Sequence, residues 1–151
     1  MLTPCEVSEQ AAQPMVSVRG RTSVASIPQF IGRAYEAVFG YLGELGEPPA
    51  GMPFAIYYNM DFEDMDVAAG IAVSHPLPGR GDVQPGELPG GSAVSALYTG
   101  PYEGLESAYA EMGKFIQEQG LQPTGMAIEY YLNGPENPPE KLQTRIVFPL
   151  S

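Results

Sequence analysis

The chain contains no tryptophan, one histidine (His75) and one cysteine (Cys5), and it has only 7 Lys and Arg against 18 Asp and Glu, for a net charge of −11. A lone cysteine excludes an intrachain disulfide and any cysteine-based metal cluster. One histidine and a cysteine near the N-terminus leave no credible Ser–His–acid or Cys–His nucleophile set. Few cationic side chains argue against nucleic acid or an anionic membrane as direct partners and favour a cationic ligand instead. No apolar run approaches the roughly 18 residues of a membrane span. The first residues, Met1 to Glu6, lack the basic-then-apolar order of a signal peptide, so a cytoplasmic location is expected. The glycine-rich pieces Gly79-Arg-Gly81 and Leu88-Pro-Gly-Gly91 lack the Lys-Ser/Thr and the helix N-terminus of a phosphate loop. Asp61, Glu63, Asp64 and Asp66 lack the central Gly and terminal Glu of a calcium loop, and read as a solvated turn. No metal or cofactor is expected.

What is present suits a single soluble domain over residues 1–151. The apolar fraction is 44%, and the aromatics are tyrosine-heavy, with 9 Tyr to 6 Phe. The 18 Gly and 16 Pro are spread among apolar runs, which predicts many turns rather than disorder. Residues 5–19 read as an interrupted strand, with a bulge or edge position at Ala12-Gln13-Pro14. Ser26 to Gln29 has the spacing of a capping box, with Pro28 in the first helical turn. Ile31, Ala34, Tyr35, Val38, Leu42 and Leu45 then repeat with a helical period, and Gly46 ends the helix. Strands are expected at 53–59, 67–74, 93–98, 126–133 and 142–148, with a loop or kinked edge strand at 76–91 and a turn from Gly134 to Pro139. A second helix opens at Gly100-Pro101-Tyr102-Glu103, turns Leu105, Ala108, Tyr109, Met112 and Ile116 to one face, and ends at Gly120.

The chain is an internal repeat. Residues 31–59 fall on 105–133 without a gap, matching Ala34 with Ala108, Tyr35 with Tyr109, Gly46 with Gly120, Gly51-Met52 with Gly125-Met126, Tyr57 with Tyr131 and Asn59 with Asn133. Each half, about 5–75 and 82–149, reads strand–helix–strand–strand. Two such units pair about a pseudo-twofold axis, giving an α+β fold with one mostly antiparallel curved sheet and two long helices on one face. Places where two halves meet favour ligand pockets.

The halves differ where it matters. In Met126 to Asn133, alternation puts Ala127, Glu129 and Tyr131 on one strand face, and both faces are mostly apolar. The repeat mate of Glu129 is Ala55, while Tyr131 has its tyrosine mate Tyr57. One carboxylate beside a symmetric tyrosine pair suits a polar-headed or cationic ligand. The plainer reading makes Glu129 a solvated strand residue, and Tyr57, Tyr131 and Phe148 core.

The runs Gly51-Met-Pro-Phe-Ala-Ile-Tyr57-Tyr-Asn, Leu88-Pro-Gly-Gly91, Tyr98-Thr-Gly100-Pro101-Tyr102-Glu103, Glu129-Tyr-Tyr131 and Thr144-Arg-Ile-Val-Phe148-Pro149 resemble the GyrI-like small-molecule-binding family. The same domain forms the effector-binding half of AraC-type and MerR-type multidrug-sensing regulators. The resemblance covers essentially the whole chain. It implies a central pocket in which a strand glutamate and nearby aromatics hold lipophilic cations, with Glu129 and Tyr131 in those positions. Where the family often has His two residues before Gly-Pro-Tyr, this chain has Tyr98. A haem-binding family shares the general fold, which would make His75 an axial ligand, although its Gly/Pro-rich setting reads as an ordinary loop. With no room for a helix-turn-helix, the chain looks like a stand-alone member.

Three functions are therefore weighed. The first is binding or sequestration of an amphipathic, aromatic, possibly cationic molecule, with Glu129 as the charge and Tyr57, Tyr98, Tyr102, Tyr131 and Phe148 as walls. The second, drawn from stand-alone relatives, is hydrolysis of reactive cyclopropane-type toxins with Glu129 as general base. The third is a gyrase-inhibitor-like module that docks on a protein partner.

Overall fold

The computed structural model describes residues 1–59, 61, 63–134 and 136–151. In chain order the strands are Glu6–Gln10 (β1), Gln13–Thr22 (β2), Pro53–Tyr57 (β3), Met65–Ala72 (β4), Gln84–Leu88 (β5), Gly91–Thr99 (β6), Ala127–Tyr131 (β7) and Gln143–Pro149 (β8). The helices are Ile27–Leu45 (α1) and Leu105–Glu118 (α2). The eight strands form one sheet in the order β1-β6-β8-β7-β3-β4-β2-β5, with antiparallel neighbours throughout. The expected turn from Gly134 to Pro139 includes Pro135, which lies outside the described residues. Beside it, the Asn137 N–H donates to the Gly134 carbonyl at 3.1 Å. The acidic stretch from Asp61 to Asp66 likewise includes Phe62, outside the described residues.

Both helices begin after a short 3-10 turn, Val24–Ser26 before α1 and Tyr102–Gly104 before α2. That turn undoes the expected capping box. Ser26 sits at φ −100°, ψ 2° and makes no side-chain cap bond, because a cap needs extended backbone at this position. Pro28 does lie in the first turn of α1. Both C-termini close at a left-handed glycine. Gly46 has φ 68° and Gly120 φ 66°, and the next N–H in each case donates back to a helix carbonyl, Glu47 to Leu42 and Leu121 to Ile116, each at 3.0 Å. The buried stripes are Ala34, Val38, Tyr41 and Leu42 in α1, and Ala108, Met112 and Ile116 in α2. Leu45, placed on the apolar face by its spacing, turns outward in the last turn and is 43% exposed.

The sheet is symmetric in a way the repeat did not reveal. β1 pairs with β6 of the second half, while β5, which leads the second half, pairs with β2 of the first. Each half therefore lends a strand to the other's edge: β1 is the first part of the interrupted strand expected over 5–19, and β5 is an edge strand within 76–91, where a loop or kinked edge strand was expected. Residues 11 and 12 separate β1 from β2, so the interrupted strand serves both halves. β5 is an edge strand, which is where its Pro85 is tolerated.

At the centre of the sheet, β3 and β7 pair with Ala55 directly opposite Glu129. These two are repeat mates, so the pseudo-twofold axis passes between them. Under the helices, the sheet buries Ala55, Tyr57, Met65, Val67 and Ala127 centrally, with Val94, Ala96 and Ile146 packed against Met112 of α2. On the opposite face Phe54, Ile56, Ala68, Ile128 and Val147 pack with Met15 of β2 and Leu88 of β5, so the sheet curls over its own second face. This accounts for a central strand that is apolar on both sides.

The curl depends on Gly70 of β4, which lies opposite Ser17 of β2 and Phe54 of β3. A Cβ at Gly70 would fall 2.1 Å from the Val16 carbonyl oxygen and 2.7 Å from Ser17 Cα. Neither backbone atom is free to move away. Gly70→Ala is expected to destabilise the fold by about 2–3 kcal/mol, the upper range for overpacking a core, read from the midpoint of urea unfolding.

Candidate functional site

Glu129 is the one charged side chain among the buried described residues, at 5% exposure. β7 brings Tyr131 beside it, and α2 lowers Tyr109 onto it from above. The Tyr131 hydroxyl donates to Oε1 at 2.8 Å, and the Tyr109 hydroxyl donates to Oε2. The Tyr57 hydroxyl reaches back over the axis to within 3.5 Å of the Tyr131 hydroxyl. Among the described residues no Lys, Arg or His pairs with the carboxylate. Burial pushes the Glu129 pKa up, against the two hydroxyl bonds, which pull it down. The same crowding raises the phenols of Tyr109, Tyr131 and Tyr57, first through burial and then through the nearby carboxylate, and that of Tyr35 through burial, then Tyr57, then the carboxylate.

Tyr35 and Tyr109 occupy equivalent places on α1 and α2 but have different partners. Tyr109 donates to Glu129, whereas Tyr35 donates to the Phe54 carbonyl at 2.8 Å. The reason is local. The strand residue at the Glu129 position in the first half is Ala55, which offers no side-chain acceptor, and Tyr35 donates to a backbone oxygen instead. One substitution thus makes four symmetry-related tyrosines into an asymmetric cage around one acid.

Two cavities open beside this cage, of about 830 Å³ and about 600 Å³, and Ile27, Tyr57, Leu105 and Glu129 line both. Phe148 lies on the larger and stacks edge-on against Tyr109, centroids 5.6 Å apart. Tyr102 and Tyr131 lie on the smaller and stack edge-on at 6.2 Å, Tyr102 remaining 46% exposed at the surface. Glu129, Tyr57, Tyr102, Tyr131 and Phe148 are therefore brought together.

Tyr98 is placed elsewhere. It lies beneath the turn into α2, donating to the Pro101 carbonyl at 2.7 Å, and it lines neither cavity. A Cβ at Gly104 would meet its hydroxyl oxygen at 2.0 Å, so Tyr98 seats the start of α2.

Tyr109, Tyr35, Ile27 and Leu105 also line these cavities, although periodicity placed the tyrosines only on helix faces. The signal was available in the Tyr35–Tyr109 match of the repeat. Of the other candidates, Asp66 and Asp64 pair with Arg19 and Arg21, and His75 is an exposed residue beside Ser74 and Glu47. Among the described residues, no group of three or more His, Cys, Asp or Glu could hold a metal ion, and no helix is long and apolar enough to cross a membrane.

Residues 3–151 match the model of the GyrI-like small molecule binding domain, and the chain belongs to that family. No curated protein is matched by the sequence. Among solved structures, the C-terminal domain of EcmrR is similar at 22% identity and TM-score 0.81, over 98% of this chain and 97% of that one. The chain spans 57% of the EcmrR chain solved in complex with DNA. A hydrolase from Listeria innocua is similar at 17% identity and TM-score 0.68, over 97% of this chain and 91% of that one. SAV2435 bound to tetraphenylphosphonium is similar at 13% identity and TM-score 0.67, over 99% and 94%. At these identities the likeness is one of fold.

The raised pKa has a defined consequence for stability. As pH rises from the ordinary glutamate value of 4.5, the unfolded chain ionises at this residue while the folded protein keeps the proton, so stability falls until the folded pKa is passed. Glu129→Gln removes this loss. Melting temperatures of the two proteins are expected to converge at acidic pH, with the variant becoming the more stable toward neutral pH.

Proposed function

We propose that this protein binds an amphipathic, aromatic cation in the cleft under the two helices, with Glu129 as its counter-charge. The observation that carries the reading is a buried carboxylate, without a cationic partner among the described residues, at the junction of two largely apolar cavities. Such a group is held in place by its two tyrosine bonds but lacks charge neutralisation, which an incoming cation supplies. The rings of Tyr57, Tyr102, Tyr109 and Tyr131 add π-faces for the cation, and the apolar walls accept its aromatic parts. Binding favours the ionised acid, so a cation lowers the Glu129 pKa and releases a proton when Glu129 was protonated beforehand. The fold shared with SAV2435, solved with tetraphenylphosphonium, supports this reading.

Tetraphenylphosphonium is accordingly expected to bind the wild type and to bind Glu129→Gln at least about tenfold more weakly, in line with the loss of a partly desolvated charge pair. Wild-type affinity should rise with pH as Glu129 ionises, and the variant should show no such rise. Fluorescence or calorimetric titration checks both. Equal binding by the two proteins would sink the electrostatic part.

A second reading is favoured by the elevated Glu129 pKa and by the hydrolase among the structures of similar fold. A carboxylate poised upward in an apolar site can take a proton from water as the water attacks a strained electrophile, then return it to the leaving atom. Both Glu129 oxygens already accept tyrosine hydroxyls, so the attacking water would have to displace one or use a remaining lone pair. Product formation from a panel of cyclopropane-type electrophiles, faster with wild type than with Glu129→Gln, is the expected result under this reading. Equal rates for the two proteins would dismiss it.

A further inference from the structure

The two cavities are not independent pockets. Tyr109 and Met126 line only the larger and Tyr35 and Met52 only the smaller, and these are the same two repeat positions taken from opposite halves. They are two lobes related by the pseudo-twofold axis. The axis passes between Ala55 and Glu129, and Glu129 lines both lobes. The second half has its carboxylate at this repeat position, whereas the first half has Ala55 there. One buried acid therefore sits at the waist between two largely apolar chambers.

From this we infer that the cleft takes one ligand at a time, a cation whose charged atom lies between two apolar arms, with one arm in each lobe. The inference rests on the cation-binding reading above and adds the shape and number of the ligand. Two separate cations, one per lobe, would have to share the one buried carboxylate, since Glu106, the other acid on the larger lobe, is exposed to solvent, and they would repel each other across the waist. A cation with its charge at one end would place it at Glu129 and fill only one lobe. The lobes are unequal, about 830 Å³ against about 600 Å³, so a bulkier arm fits on the Tyr109 side and a smaller one on the Tyr35 side.

The test uses two synthetic cations, bis(naphthylmethyl)dimethylammonium with two arms and (naphthylmethyl)trimethylammonium with one, titrated by calorimetry into the full chain. Burying a second aromatic arm contributes about 1.5–3 kcal/mol, so the two-armed cation should bind about tenfold or more tighter, with one molecule per chain for either probe. Met126→Trp and Met52→Trp each fill one lobe from its mouth. Each should weaken the two-armed cation by about tenfold or more and the one-armed cation by less than about threefold, because the open lobe still serves it. Ala110→Trp fills the larger lobe from α2 if Met126→Trp melts well below the wild type. Two one-armed molecules per chain, or a lobe-filling variant that binds the two-armed cation as well as wild type, would overturn the two-lobed inference. With Glu129→Gln still weakening both probes, the cation reading would survive that result. With Glu129→Gln without effect on either, both readings fall together.

Discussion

The centre of this protein is governed by the cost of keeping one carboxylate out of water. A buried acid without a cation must be hydrogen-bonded or protonated, and Glu129 is placed to be both. Tyr131 holds one oxygen from its own strand, and Tyr109 holds the other from α2. Those rings are themselves fixed, Tyr109 against Phe148 and Tyr131 against Tyr102 and Tyr57. The start of α2 in turn rests on Tyr98 under the Gly100–Gly104 turn. The geometry of the acid is thus set through side chains from β3, β6, β7, β8 and α2.

Duplication explains why such a site exists and why it has one acid rather than two. The axis runs between residues 55 and 129, which face each other across β3 and β7. Opposed strand residues have Cβ atoms only about 4.5–5.5 Å apart. A carboxylate on each would set two like charges side by side in a dry site, and one would have to remain neutral. An alanine and a glutamate resolve that conflict and leave room for the acid. The small Ala55 also frees Tyr35 to bind the Phe54 carbonyl, which gives the buried phenol a partner.

Much of this was legible in the amino-acid order. The ungapped match of 31–59 with 105–133 exposes the duplication, and the strands it predicts lie within a few residues of those observed. The Ala55–Glu129 difference locates the acid. The register that sets those two residues face to face was not legible, because it arises from long-range pairing of β3 with β7. Tyr109 was read as part of a helix face, since periodicity does not separate a ring that packs from one that also donates a hydroxyl. Tyr98, expected as a pocket wall, is placed away from both cavities. It precedes the Gly-Pro-Tyr run in sequence, yet its side chain turns under the chain to seat α2. The exchange of β1 and β5 between halves was hidden as well, because edge strands this exposed carry a weak alternation signal.

The ionisation of Glu129 itself is the most direct measure of the account. With ¹³C-labelled glutamate carboxyls, assigned by their loss in Glu129→Gln, an NMR titration follows this one group with and without tetraphenylphosphonium. The Glu129 signal is expected to titrate above the ordinary glutamate range in the free protein and to shift to lower pH when the cation is present. A signal that titrates in the ordinary range and ignores the cation would contradict it.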